Sequence, residues 1–437
     1  MKRFLYITPY FPPQTRVGAL RPLKFVRHLP DFGWAPVVLA DLGRGDAIDQ
    51  RLYDLVPDSC EVVWDYSSRA AGTWQALEQR QEGETSHRSR EISLIPRMVG
   101  RVIHQIASVV PQPNPEFLPL GEHSPRMLHA LRSGRRLLER YPCEAIMVNA
   151  DPYAACLVGR RLGEESGLPV IQDLRDPWAL CDMRRPRRPA PQRRLVDWME
   201  RICVEDCARF VLNTRTACEQ YRAHYTGIPP ERFDFIRNHS DAEIISGGDH
   251  VPRQRYTLLF LGGFRRFVKG HVMIEVLAEL RRRGHPERDL ALMVTGRLSD
   301  DAKHLARRLG VEGMLEDHPF VPYREVGTFM KTADLLVALS TTGSQRFPAK
   351  VFDYATSSRP LLVVTDSPEL EEMLGELGGA YVHGMNDVVG IADTVEEEMR
   401  LGRRRSLDRS KVGLDSATAS EKLARILDEV TEEKRLC

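Results

Sequence analysis

Lys350 and Asp353 stand one helical turn apart, directly after a segment that reads GSQRFPAK (343–350). An apolar run precedes that segment and a helix-like pattern leaves it. Residues three or four apart share a helix face, so this lysine and acid can act together. A strand-to-helix turn with Gly343 and Ser344 offers backbone N–H groups, and Lys350 offers a point charge. That set suits an anion with a hydroxyl-bearing neighbour. It equally suits a local Lys–Asp pair with an acid well placed near a helix start.

Three other stretches have the same character. In LFLGGFRRFVKG (259–270), a strand-like run ends at two glycines and is followed by Arg265, Arg266 and Lys269. Glycines let the backbone turn sharply or approach a ligand closely. The cations and the helix start behind them suit a diphosphate. Neither the Walker pattern nor GxGxxG is present. In QDLRDPWAL (172–180), Asp173, Arg175 and Asp176 follow a strand, and the sequence places all three on a cleft wall. There a carboxylate could bind sugar hydroxyls or act as a general base; an internal Asp–Arg pair fits the same residues. In TPYFPPQTRVGALR (8–21), Arg16, Gly18 and Arg21 again suit an anion.

All of these segments follow predicted strands. The strand candidates 4–8, 36–40, 145–149, 169–173, 210–213 and 233–236 alternate with helices. The rhythm restarts with 256–261, 290–295, 315–320, 335–339 and 361–364. This is the pattern of two α/β domains, each a Rossmann-like, doubly wound parallel sheet. Open sheets of this kind bind ligands at the carboxyl ends of their strands. Residues 1–242 form the expected first domain and 252–412 the second. The polar, Gly-Gly-containing stretch 241–255 is the linker. A helix over 415–437, with Ser420 as its N-cap, is expected to pack back on the first domain.

Residues 44–135 read as a polar, variable insertion in the first domain. Within it, 97–111 carries one apolar helical face, suited to core packing or to a membrane surface. The Arg- and Pro-rich run 181–194 reads as an exposed loop. Its Arg184–Arg194 portion is either a solvated charge run or a patch for phosphates or an anionic membrane.

The chain has 437 residues and a net charge of +1, so no whole-molecule field points to nucleic acid. Its eight cysteines form no CxxC pair and no zinc spacing, which predicts reduced thiols and no metal. No run reaches the roughly 18–20 apolar residues of a membrane span, and the N-terminus lacks a secretory core. The expected place is the cytoplasm, including the inner face of the membrane.

Taken together, the motifs resemble the retaining glycosyltransferases of family 4, of a bacterial polysaccharide type. These have the GT-B fold, two Rossmann-like domains facing a cleft, which implies that residues 1–242 are the acceptor-side domain and 252–412 the nucleotide-sugar-binding domain. DLRDPW is similar to that subgroup. IRNHSD (236–241) resembles the interdomain I-x-N-G-x-D, with His239 in place of glycine. By this resemblance Arg265 or Arg266 and Lys269 hold the diphosphate, and VTGR (294–297, ending at Arg297) lies near the nucleoside. The backbone near Val321 holds the base, and Asp353 takes the ribose diol. Gln345 falls where the family has an acid at the donor sugar.

The implied reaction moves a sugar from a UDP-, GDP- or dTDP-linked donor to a hydroxyl of a carbohydrate, lipid-linked or small-molecule acceptor. It proceeds with retention and without metal or other cofactor. Gly18, Gly343 and Lys350 face the diphosphate, and Asp173 or Asp176 orients the acceptor. A sugar-nucleotide epimerase and a non-catalytic GT-B partner protein are the alternatives.

Overall fold

The computed structural model describes residues 1–42, 47–66, 126–150, 152–245, 249–264, 270–340, 345–375, 377, 379–402 and 413–436. The predicted helix over 97–111 lies outside them.

In the first half, strands β1 (Lys2–Ile7), β2 (Trp34–Ala40), β3 (Glu61–Trp64), β4 (Ala145–Ala150), β5 (Val170–Leu174), β6 (Arg209–Leu212) and β7 (Phe233–Phe235) make one sheet in the order 3-2-1-4-5-6-7. In the second half, β8 (Tyr256–Phe260), β9 (Leu290–Thr295), β10 (Leu315–His318), β11 (Leu335–Leu339), β12 (Leu361–Val364) and β13 (Ala380–His383) run 10-9-8-11-12-13. Both sheets are parallel throughout, with β1 registered Phe4 to Pro36 on one side and Phe4 to Ala145 on the other.

The reason is visible in each strand. Leu5 and Ile7 enter one core while Phe4 and Tyr6 enter another, so β1 is apolar on both faces. Leu258 and Phe260 part from Leu259 and Leu261 in the same way. Strands buried on both sides are what a sheet sandwiched by helices requires. In each sheet the strand order reverses beside the first strand, between β1 and β4 and between β8 and β11. Ligand crevices of such sheets open at that switch point.

Several expectations need correction. The region 44–135 is not an insertion throughout. It supplies edge strand β3 and the helix Met127–Arg140, whose Ala130 and Leu137 are core residues. The run 181–194 is not simply an exposed loop. Arg188 is buried and donates to Trp178 O at 3.0 Å, and Arg184 reaches the Tyr153 hydroxyl at 2.8 Å. Arg185 pairs with Asp197, and the helix Ala190–Asp206 begins inside the run. A proline in the first helical turn costs no hydrogen bond, so the Pro-rich sequence starts a helix there.

The last helix starts at Ser416 rather than at Ser420, with Asp415 accepting from Thr418 N at 2.8 Å. Its Leu423, Leu427 and Val430 pack into the first domain's core, and Lys422 pairs with Asp234 at 2.8 Å.

The two halves also meet directly. Glu369 of the second domain accepts from the N–H groups of Arg215 and Thr216 at 2.9 and 2.8 Å, at the start of a first-domain helix, Arg215–His224. Carboxylates suit helix N-termini because the free N–H groups and the dipole both favour them.

Candidate active site

A cleft of about 390 Å³ lies between the two domains. Its walls come from the loops at the carboxyl ends of β1, β5, β8 and β9, from the segments after β10 and β11, and from the interdomain crossing at Asn238 and His239.

The second-domain wall is built on bare backbone. Gly262 has φ +120°, and a Cβ there would lie 2.9 Å from Lys350 Nζ. A Cβ on Gly263 would lie 2.2 Å from the carbonyl oxygen of Gly296. Only glycine lets the two strand ends close on each other while leaving space for the lysine. Lys350 Nζ sits 3.9 Å from the centroid of the Phe260 ring, an attraction between a cation and a π face. Burial lowers its ammonium pKa to about 8, with the Asp353 charge opposing the shift.

Asp353 faces the same cleft from the helix Ala349–Tyr354. Its Oδ1 accepts from the Tyr323 hydroxyl at 2.6 Å and lies 3.4 Å from Lys24 Nζ. Lys24 belongs to the first-domain helix Val17–His28 and also donates to His239 O at 2.7 Å. Burial, and then the Asp353 charge, push the Tyr323 hydroxyl well above its usual pKa, so it stays a donor.

On the first-domain wall, Val17 opens that helix, whose first turn holds no acid. A Cβ on Gly18 would come within 2.8 Å of the Tyr10 ring and 3.1 Å of Arg175 Nη1. Arg175 lines the cleft, and its Nη1 is buried with no hydrogen-bond partner among the described residues. A helix start and a guanidinium nitrogen side by side favour an anion.

The remaining predicted residues divide clearly. Val321 lines the cleft. Arg265, Arg266, Lys269, Gly343 and Ser344 lie outside the described residues. Arg297 is exposed with φ +68°, and Gly296 takes the place on the wall expected for it. Asp176 is half-buried and off the wall.

Asp173 does not face the cleft. It is fully buried, paired with Arg21 through two bonds of 2.9 and 2.8 Å, and bonded to Asn149 at 2.7 Å. Arg21 in turn holds the carbonyls of Ile236 and Arg237 at 2.9 and 3.1 Å. The bland alternative, an internal Asp–Arg pair, is the geometry found, with Arg21 rather than Arg175 as the partner. Its effect is to fix the interdomain crossing against the first helix.

Gln345 is also turned away. Its Oε1 accepts from Asp182 N at 2.8 Å, and its Nε2 donates to Leu180 O at 2.9 Å and to Gln220. An amide can donate and accept at once, and all three of this one's bonds go to the first domain. Gln345→Glu should therefore lower stability by about 1–3 kcal/mol rather than restore a sugar contact, because two acceptors would then face a carboxylate. A melting temperature that stays unchanged together with faster turnover would contradict this placement.

Lys24, Tyr323 and His239 were not singled out as site residues in the sequence. Lys24 lies mid-helix and Tyr323 in a short turn, and no local pattern marks either as reaching Asp353.

Two Rossmann-like domains with this strand order around one cleft define the GT-B class. Residues 96–239 match the Glycosyl transferase 4-like domain family. The D-inositol 3-phosphate glycosyltransferase of Arthrobacter sp. (strain FB24) is 24% identical over 265 residues, 56% of this chain. The chain covers 60% of that relative's length. Among solved structures, Anabaena Alr3699/HepE in complex with UDP and glucose superposes with a TM-score of 0.62 at 12% identity, covering 98% of this chain and all of that one. A protein described as a putative UDP-N-acetylglucosamine 2-epimerase from Listeria monocytogenes gives 0.56 at 13% identity, covering 99% and 98%. The chain thus has the GT-B fold, and its residues 96–239 are similar to the glycosyltransferase 4-like domain.

Proposed function

We propose that the chain transfers a sugar from a nucleotide-sugar donor to an acceptor hydroxyl. The observation that carries this reading is the pairing of Lys350 and Asp353 on one helix turn, opposite the start of the helix Val17–His28, in a GT-B cleft. Lys350, Arg175 and the backbone N–H groups at Gly18 meet the diphosphate. As the sugar–oxygen bond breaks, negative charge grows on the phosphate, and fixed cations and dipoles stabilise it. Asp353 accepts a ribose hydroxyl through its free lone pairs.

The cations take the role a metal has in other transferases, and among the described residues no group of three His, Cys, Asp or Glu could hold one. The transfer retains configuration, with the leaving phosphate assisting deprotonation of the acceptor. The 4-like domain and the transferase relative favour transfer over epimerisation; the fold alone serves both.

The acceptor is a lipid-linked or polysaccharide glycan or a natural product, met at the inner face of the membrane. Among the described residues no helix is long and apolar enough to cross a membrane. Peripheral contact is supported by the exposed side of the helix Ala190–Asp206. There Leu195 and Trp198 are 43% and 57% exposed, beside Arg193 and Arg194. Apolar and aromatic residues flanked by arginines suit an anionic lipid surface.

The test is a thermal-shift screen of UDP-, GDP- and dTDP-sugars, followed by product analysis with and without acceptor. A donor at 100 times its Kd should stabilise the protein by about 2.7 kcal/mol. Turnover without acceptor would establish the epimerase reading instead. A second reading, a non-catalytic member of the fold, draws on Gln345 being spent between the domains; binding without any turnover would support it.

A further inference from the structure

Lys350 and Asp353 share one helix turn, and an ion pair is the simplest fate of such neighbours. That pair does not form. Lys350 Nζ lies over the Phe260 ring and makes no hydrogen bond or ion pair among the described residues. Asp353 is engaged across the cleft instead. Its Oδ1 accepts from the Tyr323 hydroxyl at 2.6 Å and meets Lys24 Nζ, of the first domain, at 3.4 Å.

Lys24 is itself held in place. Its side chain is 7% exposed, and its Nζ donates to His239 O at 2.7 Å and lies 5.7 Å from the centroid of the Tyr323 ring. Neither of those two contacts involves Asp353, so the ammonium is a fixed point to which the carboxylate is drawn. The other carboxylate oxygen is left over. Oδ2 takes no hydrogen bond among the described residues and is not closed to solvent. The side chain keeps 12% of its surface open on the cleft wall.

The consequence is electrostatic. A carboxylate bound to a buried ammonium cancels its attraction for any other anion, and the low dielectric of the site makes the effect strong. Lys24 gives Asp353 a competing cation. We propose that Lys24 is a positioning residue that holds Asp353 away from Lys350, keeping the Lys350 ammonium for the diphosphate and Asp353 Oδ2 for a ribose hydroxyl. This rests on the nucleotide-sugar reading above and deepens it. Lys24 and the two groups it separates belong to different domains, so the nucleotide site is complete only while the domains are docked.

The test is a double-mutant cycle, with Kd for UDP, GDP and dTDP measured by calorimetry on the unmodified chain, Lys24→Met, Asp353→Asn and the two combined. Asp353→Asn should weaken the nucleotide that binds by about tenfold, the size of one hydrogen bond to a charged group. Lys24→Met should cost about 100-fold, because Asp353 then pairs with Lys350 and both groups are lost. Adding Asp353→Asn to Lys24→Met should restore about tenfold, since a neutral amide does not cancel the ammonium. Lys24→Arg, which keeps the charge, should lose least. Lys24→Gln keeps a donor for His239 O without the charge, and it carries the same cycle if Lys24→Met does not fold. A lysine that only braces the crossing at His239 would cost the same with Asp353 or Asn at position 353. That additive result, or full affinity in Lys24→Met, would overturn the proposal and leave the donor reading intact. No binding of any of the three nucleotides to the unmodified chain would remove both.

Discussion

Asp173→Ala should destabilise the protein by about 3–5 kcal/mol, because it strands the Arg21 guanidinium in a site without water. Arg21 and Asp173 have side-chain exposures of 3% and 0%, so solvent cannot take over the lost partner. The two carbonyls that Arg21 holds would also lose their geometry, and with them the crossing that carries Asn238 and His239 into the cleft. A shift of about 10 °C in the melting temperature follows for a domain of this size. The double variant Arg21→Met with Asp173→Leu removes both charges and should recover much of the loss. A catalytic carboxylate behaves differently: its removal would abolish turnover while leaving the melting temperature unchanged. That outcome would return Asp173 to the chemistry.

The contrast between Asp173 and its surroundings shows what a sequence can carry. Strands β9, β11 and β12 were legible to the residue, since a strand buried on both faces is an unbroken apolar run. Edge strands β3 and β13 were not. EVVW alternates between exposed and buried, and AYVH is half-buried throughout, so neither differs from loop sequence. The helix Met127–Arg140 was hidden by its arginines, which cover its outer side while Ala130 and Leu137 reach the core.

Partner choice was the least legible property. Asp173 was read against Arg175, two residues away, but its partner is Arg21, 152 positions earlier. Lys24 meets Asp353 over 329 positions, and Gln345 meets Asp182 over 163. Residue type announces that a charge or amide needs a partner. Only the docking of two domains decides which one it finds. The glycines were partly transparent: Gly262 and Gly263 were read as a sharp turn or a close approach to a ligand, and the structure shows the backbone of Gly263 closing on that of Gly296.

Lys350→Met should have the opposite profile to Asp173→Ala. Turnover should fall by about 10²–10³, as for the loss of one preorganised group facing developing negative charge. The melting temperature at pH 7 should hold or rise, because the lysine is charged there in a site that disfavours its charge. The pH dependence fixes the sign. The folded-state pKa is about 8, below the ordinary value of 10.5. Between those values the unfolded chain binds more protons than the folded one, so the wild-type protein gains stability as pH rises from about 8 towards 10.5. Lys350→Met should lack that gain. On the proposed function donor affinity runs the other way, since a diphosphate at Lys350 needs the protonated ammonium. In the wild-type protein it should weaken above pH 8, approaching tenfold per pH unit, while the variant stays weak and flat. Calorimetry of a nucleoside diphosphate between pH 7 and pH 10, paired with melting curves in the same buffers, reads both trends. A wild-type affinity that does not change over that range would place the ammonium away from the phosphates, and a variant that turns over normally would remove Lys350 from the reaction.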